Sequence, residues 1–119
     1  MTDWAFYDSV YTERYMGTPE GNPQGYETSS PLKKAGQLKA DLLLIHGSAD
    51  DNVHLANTMA FVSALIKAGR PYELQIHPRQ LHGFRPKEDR IARDRATVEH
   101  FERTLQPGSP TAGTAPAGQ

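Results

Sequence analysis

The sequence lacks cysteine, a long apolar run and an excess of charge of either sign. Without cysteine there is no disulfide framework, no thiolate zinc site and no cysteine nucleophile. No window approaches the roughly 18 apolar residues of a membrane span, and no basic start followed by an apolar stretch marks a secretory leader. Thirteen basic residues against fourteen acidic ones give a formal net charge of −1, which creates no global field for nucleic acid or anionic lipid. We therefore expect neither a nucleic-acid partner nor a membrane contact from this segment.

A length of 119 residues allows one small domain with a modest interior. Apolar residues are scarce in residues 17–40 and from Gln106 onward, whereas residues 41–105 have an ordinary globular composition. We expect residues 1–105 to belong to a folded domain and residues 106–119, rich in Gly, Pro, Ala and Thr, to form a disordered low-complexity tail. These features leave the cellular location open.

Residues 41–105 alternate strand and helix patterns. Residues 41–45, Asp41 followed by four apolar residues, predict a strand buried on both faces, and residues 72–76 predict a second strand. A helix lies between them and another follows from about Glu88, so the order is βαβα and the sheet should be parallel. Two parallel strands with one helix between them leave part of such a sheet uncovered, which suggests the end of a larger α/β domain. The apolar positions assigned to the inward faces of the two helices are Leu55, Met59, Val62 and Ile66, and Ile91, Val98, Phe101 and Leu105.

The first 40 residues contain an aromatic segment and a turn-rich connection. Trp4, Tyr7 and Tyr11 stand at i, i+3 and i+7, so one helix over residues 4–16 would place them on the same face. Asp8 or Ser9 is a candidate cap for this helix, and Gly17 and Pro19 are candidate stops. Residues 17–40 predict a loop with a short helical turn at 31–35.

Polar side chains follow both predicted strands, at the edge where ligands collect in open α/β sheets. Asp50 and Asp51 come after the first strand and His82 after the second. A carboxylate can hold an imidazole in one tautomer while that imidazole takes a proton from a nucleophile. Acid before base is also the order of the α/β-hydrolase triad, whose serine precedes both on a Gly-x-Ser-x-Gly elbow. No such elbow is present, and Ser48 lacks its flanking pattern.

Simpler interpretations exist for each of these residues. Asp50 and Asp51 could form only a solvated turn, with Asp51 or Asn52 as the cap of the following helix. His46 and His54 flank the acids, but one ends a buried strand and the other starts a helix, so we expect no metal site. His77 and His100 read as ordinary surface or partly buried histidines, and the aromatic stripe as core packing. We expect no cofactor.

Three segments resemble the prolyl oligopeptidase family of serine peptidases, and within it the dipeptidyl peptidase IV branch. They are residues 4–17 (WAFYDSVYTERYMG), residues 44–54 (LIHGSADDNVH) and the short 81–83 (LHG). The similarity spans roughly residues 4–105. It implies the C-terminal part of an α/β-hydrolase fold, which in full-length members follows a β-propeller.

The resemblance also implies roles for individual residues. Asp50 would be the triad acid and His82 the general base. Asn52 would bind a backbone carbonyl of the substrate, and the residues implied to line the pocket before the scissile bond are Trp4, Tyr7, Tyr11 and Val53. Flat aromatic walls suit a proline ring. The family's serine elbow, oxyanion tyrosine and acidic pair for the substrate's amino terminus lie upstream and have no match here.

The expected function is therefore a serine-type dipeptidyl peptidase that cleaves after Pro or Ala near peptide N-termini. This chain would supply the triad acid and base but lack the nucleophile, so by itself it should be inactive. Its substrate would be a peptide with Pro or Ala in the second position, and its partners would be the missing hydrolase and propeller regions. Formation of a homodimer is a further option. The alternatives are an esterase or acylaminoacyl peptidase of the same fold, and a non-catalytic dimerisation or binding remnant.

Overall fold

Two parallel strands form the sheet, as the βαβα pattern predicts. The structure is a computed structural model that describes residues 2–105, so the predicted tail 106–119 lies outside the described residues. Strand β1 pairs with β2 in register from Leu43 opposite Glu73 to Gly47 opposite His77. The elements are α1 (Ser9–Met16), α2 (Pro23–Ser29), α3 (Pro31–Lys34), β1 (Leu43–Gly47), α4 (Leu55–Lys67), β2 (Glu73–His77) and α5 (Lys87–Thr104), with 3₁₀ turns at Trp4–Phe6 and Ala35–Gln37.

The apolar core lies between β1 and α4. Strand side chains alternate between the two faces of the sheet, so Leu44 and His46 share the face that α4 covers. Leu65 of α4 is fully buried at the centre of this contact. The buried apolar residues of the core are Ala35, Leu44, Phe61, Val62 and Leu65. Helix α4 therefore fixes the position of β1 and of the turn that joins them.

The predicted inward faces of the helices are partly wrong. In α4, Val62 is buried as expected, but Met59 and Ile66 are exposed, because the helix turns its polar Asn57 and Thr58 inward. In α5 the predicted stripe is 47 to 74% exposed, and the buried residue is His100. The His100 Nδ1 lies 3.1 Å from Glu73 Oε1 on β2, so a polar contact sets how α5 faces the sheet. The periodicity therefore located an apolar stripe on α5, but it did not predict which face of that helix packs against the sheet.

The aromatic segment is not one helix. Asp3 caps the turn Trp4–Phe6 by accepting from the Ala5 N–H at 3.0 Å. Asp8 caps α1 by accepting from the Tyr11 N–H at 2.7 Å, which confirms it as a cap, and α1 ends at Gly17 as predicted. Two successive caps divide the segment into two helical pieces, because each cap residue leaves the helical conformation.

The connection 17–40 is more helical than predicted. The helical turn at 31–35 is confirmed by α3, but α2 was not predicted from the turn residues. Asn22 caps α2 by accepting from the Gly25 N–H at 3.1 Å, and Pro23 occupies its first turn. Asparagine followed by proline is therefore a helix start here, since proline fits the first helical position.

Asn57 of α4 attaches the aromatic segment to the sheet layer. Its side-chain Oδ1 accepts from the buried Asp3 N–H at 3.1 Å, and its Nδ2 lies 3.4 Å from the Phe6 carbonyl oxygen. On the other side of Asp3, the Ser30 hydroxyl donates to the Asp3 carboxylate. The segment is thus held by hydrogen bonds from α4 and from the start of α3. Among residues 2–105, no helix is both long and apolar enough to cross a bilayer.

Candidate active site

Asp50 is the centre of the turn that follows β1. Its carboxylate is buried, and Oδ1 accepts from the main-chain N–H of Asn52 at 3.0 Å and of Val53 at 2.9 Å. A carboxylate bound to the backbone two and three residues ahead is a common way to build a tight turn. Helix α4 starts later, with His54 as its N-cap, so the prediction of Asp51 or Asn52 as that cap is wrong.

The loop after β2 lies directly against the Asp50 turn. The Ser48 N–H donates to the His77 carbonyl at 2.9 Å and the Ala49 N–H to the Gln80 carbonyl at 3.0 Å. In return, the Arg79 N–H donates to the Ser48 hydroxyl at 2.9 Å. Three hydrogen bonds in a row therefore bind the two loops that carry Asp50 and His82.

Gly47 permits this close approach. A Cβ atom at Gly47 would overlap the Gln80 carbonyl oxygen and lie 2.8 Å from the Leu81 carbonyl oxygen. Both are main-chain atoms, which cannot move aside without moving the loop. The absence of a side chain at residue 47 is thus a condition for the contact between the loops.

The contact brings Asp50 and His82 together. His82 Nδ1 lies 3.0 Å from Asp50 Oδ2. The Asp50 side chain is only 6% exposed, whereas that of His82 is 57% exposed. The arrangement is a buried acid that holds an imidazole whose other edge faces solvent. His82 Nε2 has no hydrogen-bond partner within residues 2–105.

Opposing effects act on the pKa of Asp50. Burial raises it, but the hydrogen bonds from His82 and from the Asn52 and Val53 N–H groups lower it, and so does the His82 charge. The lowering effects win, and the pKa lies below its usual range. The carboxylate therefore stays charged at neutral pH and can only accept hydrogen bonds.

The three predicted pocket aromatics lie together, though not on a single helix. The rings of Trp4 and Tyr11 are stacked at 6.2 Å, and Tyr7 meets Tyr11 edge-on at 5.7 Å. The Tyr7 hydroxyl donates to Asn52 Oδ1 at 2.7 Å. This bond joins the aromatic cluster to the Asp50 turn across 45 residues of sequence.

An open depression lies between the aromatic cluster and the Asp50 turn. It has a volume of about 500 Å³ and is lined by Tyr7, Asp8, Tyr11, Asp51 and Asn52. Three predicted substrate contacts therefore face one space. Trp4 backs it by stacking on Tyr11. Val53 is buried and does not line it.

Several histidines are more buried than the sequence suggested. His77 and His100 were predicted to be surface or partly buried, but both are buried and face carboxylates, His77 Nδ1 at 3.3 Å from Asp89 and His100 at 3.1 Å from Glu73. His46 is also buried, with Thr58 and Val53 as partners. The contacts of His46 were missed because they come from α4 and from main-chain atoms, neither of which a motif displays. No group of three metal-ligating side chains is found within residues 2–105.

The site is of the kind found in hydrolases that use an acid, a histidine and a separate nucleophile. The sequence profile of the prolyl oligopeptidase family matches residues 1–108. The chain therefore belongs to the prolyl oligopeptidase family.

Individual relatives are dipeptidyl peptidases by name. Human dipeptidyl peptidase 8 is 47% identical over 105 residues, which is 86% of this chain and 11% of that protein. The probable dipeptidyl-aminopeptidase B of Aspergillus oryzae is 51% identical over 86 residues, or 71% of this chain and 10% of that protein. The crystal structure of Porphyromonas gingivalis dipeptidyl peptidase 4 superposes with a TM-score of 0.78 at 45% identity, covering 85% of this chain and 14% of that one. This chain spans about a tenth of the length of the curated relatives it matches.

Replacing Gly47 tests the contact between the loops. We expect Gly47→Ala to lower the free energy of unfolding of the 119-residue chain by about 1–3 kcal/mol, since the new methyl group meets backbone. Denaturant unfolding measures the change. The control is Gly83→Ala in the same loop, where a Cβ meets nothing within 4 Å; its effect should stay within about 0.5 kcal/mol. Equal losses in the two variants would contradict the role of Gly47.

Acid titration tests the contacts of Asp50. An unfolded aspartate titrates near pH 4, roughly, and the folded pKa of Asp50 is lower. The unfolded chain therefore binds more protons between the two values, and the stabilisation is complete above the unfolded pKa and lost as pH falls through the folded one. The advantage of the wild type over Asp50→Asn in free energy of unfolding should be constant near neutrality and shrink below about pH 4.

The comparison with a variant is needed because the pKa of Glu73 is lowered too, mainly by the hydrogen bond from Arg103. That contribution is common to the wild type and the variant. Asp51→Asn, at an exposed neighbouring position, serves as the control. A gap between wild type and Asp50→Asn that widens as the pH falls would contradict the assignment.

Proposed function

We propose that this chain supplies the acid and the general base of a serine peptidase triad. The observation that carries the proposal is the 3.0 Å contact between Asp50 Oδ2 and His82 Nδ1, made by a buried carboxylate and a half-exposed imidazole. Membership of the prolyl oligopeptidase family supports the reaction class. The two residues would act with a serine from sequence that this chain does not contain.

The chemistry follows from the direction of the hydrogen bond. A charged carboxylate only accepts, so Nδ1 of His82 donates and Nε2 carries the free lone pair. Nε2 takes the proton of a serine hydroxyl as that oxygen attacks the scissile carbonyl, and it returns the proton to the leaving amine. Asp50 stabilises the imidazolium that exists between these two steps. The exposed edge of His82 is the edge that this cycle uses.

Asn52 and the aromatic cluster are proposed to hold the peptide. Because Asn52 Oδ1 is occupied by the Tyr7 hydroxyl, the amide nitrogen is left to donate to a substrate carbonyl. The rings of Tyr7, Tyr11 and Trp4 offer apolar faces suited to a proline or alanine side chain. A proline has no amide hydrogen to satisfy. These features favour a dipeptidyl peptidase that cleaves after Pro or Ala near the N-terminus.

The larger architecture is proposed on the same basis. Residues 1–105 would be the C-terminal part of an α/β-hydrolase domain, and the remaining hydrolase and propeller regions would be its partners in the complete enzyme. The similarity to dipeptidyl peptidase 4 supports this arrangement. Val53 is buried and does not line the depression, so its proposed part is to hold the Asp50 turn through its N–H bond to the Asp50 carboxylate. Homodimerisation of the complete enzyme is proposed as well.

Kinetics of the full-length protein that carries this sequence test the function. Asp50→Asn should lower kcat on a Gly-Pro chromogenic substrate by about 10³–10⁴-fold, because the imidazole then favours the wrong tautomer. The matched control is Asp94→Asn, which changes an exposed carboxylate on α5 that does not line the depression and should leave kcat near the wild-type value. Near-wild-type kcat in Asp50→Asn would remove Asp50 from the triad. Turnover of acyl esters without turnover of Gly-Pro substrates would assign an esterase instead.

A further inference from the structure

We propose that His46 is a positioning residue for the triad acid, and that its Nε2–H holds the Asp50 turn in the orientation that His82 requires. The inference rests on the proposed function, since it assigns a role to a residue behind the proposed acid. His46 is buried at the end of β1, on the sheet face covered by α4. His46 contacts Asp50 from β1, whereas His82 contacts it from the loop after β2.

The partners of His46 define its tautomer. Nε2 lies 2.8 Å from the Val53 carbonyl oxygen, and a carbonyl only accepts, so Nε2 carries a proton. Nδ1 lies 2.7 Å from the Thr58 hydroxyl, which can donate to it. A neutral ring therefore satisfies both contacts: Thr58 donates to Nδ1 and Nε2–H is aimed at the turn.

The same Nε2 also lies 3.3 Å from Asp50 Oδ2. That oxygen is the one His82 contacts at 3.0 Å, whereas the other oxygen is occupied by two main-chain N–H groups. His46 thus acts on the oxygen that faces the base. It also holds the carbonyl of Val53, whose N–H binds the Asp50 carboxylate.

These contacts connect three elements at one point. Thr58 belongs to α4, His46 to β1, and Asp50 and Val53 to the turn between them. His46 therefore ties the position of the Asp50 carboxylate to both β1 and α4. A misplacement of about 1 Å in a catalytic group can cost about 10²-fold in rate, so a contact that fixes the acid affects turnover without touching the substrate.

The simpler interpretation is a buried histidine whose hydrogen bonds merely stabilise the fold. The two interpretations differ in which nitrogen matters. Glutamine carries its amide nitrogen at the same number of bonds from Cγ as Nε2, and asparagine places it at the position of Nδ1. His46→Gln therefore keeps a donor aimed at the turn, whereas His46→Asn keeps only a group near Thr58. Both substitutions leave a neutral amide in the same cavity.

The first experiment measures kcat and KM on a Gly-Pro chromogenic substrate with the full-length protein. His46→Asn should lower kcat by about 10²-fold and change KM much less, because His46 contacts Asp50 and the Val53 carbonyl but neither Asn52 nor the aromatic cluster. His46→Gln should recover most of that loss. Equal losses of kcat in the two variants, or a change in KM alone, would overturn the proposal. Should His46→Asn fail to fold, Thr58→Val takes its place: it removes the donor to Nδ1 at nearly constant volume, and an unchanged kcat would overturn the proposal.

The second experiment needs no activity. Nitrogen-15 NMR of the 119-residue chain reports the tautomer of His82, which should carry its proton on Nδ1 in the wild type and in His46→Gln and shift toward Nε2 in His46→Asn. The same tautomer in all three would overturn the positioning role, whatever the activity. A tautomer shift in His46→Asn with no effect of Asp50→Asn on turnover would keep the positioning role and remove Asp50 from the proposed triad.

Discussion

The backbone contact between the end of β1 and the loop after β2 is the constraint on which the site depends. Parallel strands bring their carboxyl ends to one edge, but they do not by themselves place two side chains at 3 Å, roughly the length of a hydrogen bond. Here the Gly47 backbone lies against the Gln80 carbonyl, and Ser48 and Ala49 donate to the neighbouring loop. Because main-chain hydrogen bonds join the two loops, the backbone segments that carry Asp50 and His82 are held next to each other.

Within this framework, hydrogen bonding decides the charge of the acid. Burial alone would favour a protonated Asp50 and so remove its ability to orient an imidazole. The donors from the turn and from His82 outweigh the desolvation and lower the pKa. The turn that shapes the chain also keeps the acid charged, so one set of contacts has a structural and an electrostatic consequence.

The sequence predicted the parts of the fold that depend on local pattern. The parallel strands and the helix between them follow from apolar runs of the right length, and Asp8 was recognisable as a cap. The sequence did not predict which face of α5 meets the sheet, because His100 is placed by Glu73 of β2, a contact between distant residues. Two helical pieces replace the single helix expected over residues 4–16, because Asp3 and Asp8 both act as caps. For the site, motif resemblance selected Asp50 and His82, but it could not reveal His46, whose partners are a carbonyl and a threonine on another element.

The two halves of the site are coupled through a few polar side chains of α4 and its preceding turn. Asn57 anchors the aromatic segment through its contacts with Asp3 and Phe6. The next residue, Thr58, contacts His46 at the end of β1. Adjacent residues of one helix therefore support the substrate side and the acid side separately. Since Tyr7 then meets Asn52 in the Asp50 turn, the aromatic cluster and the acid belong to one hydrogen-bonded unit. A displacement of α4 would move both together, which keeps the proposed substrate contacts in register with the proposed chemistry.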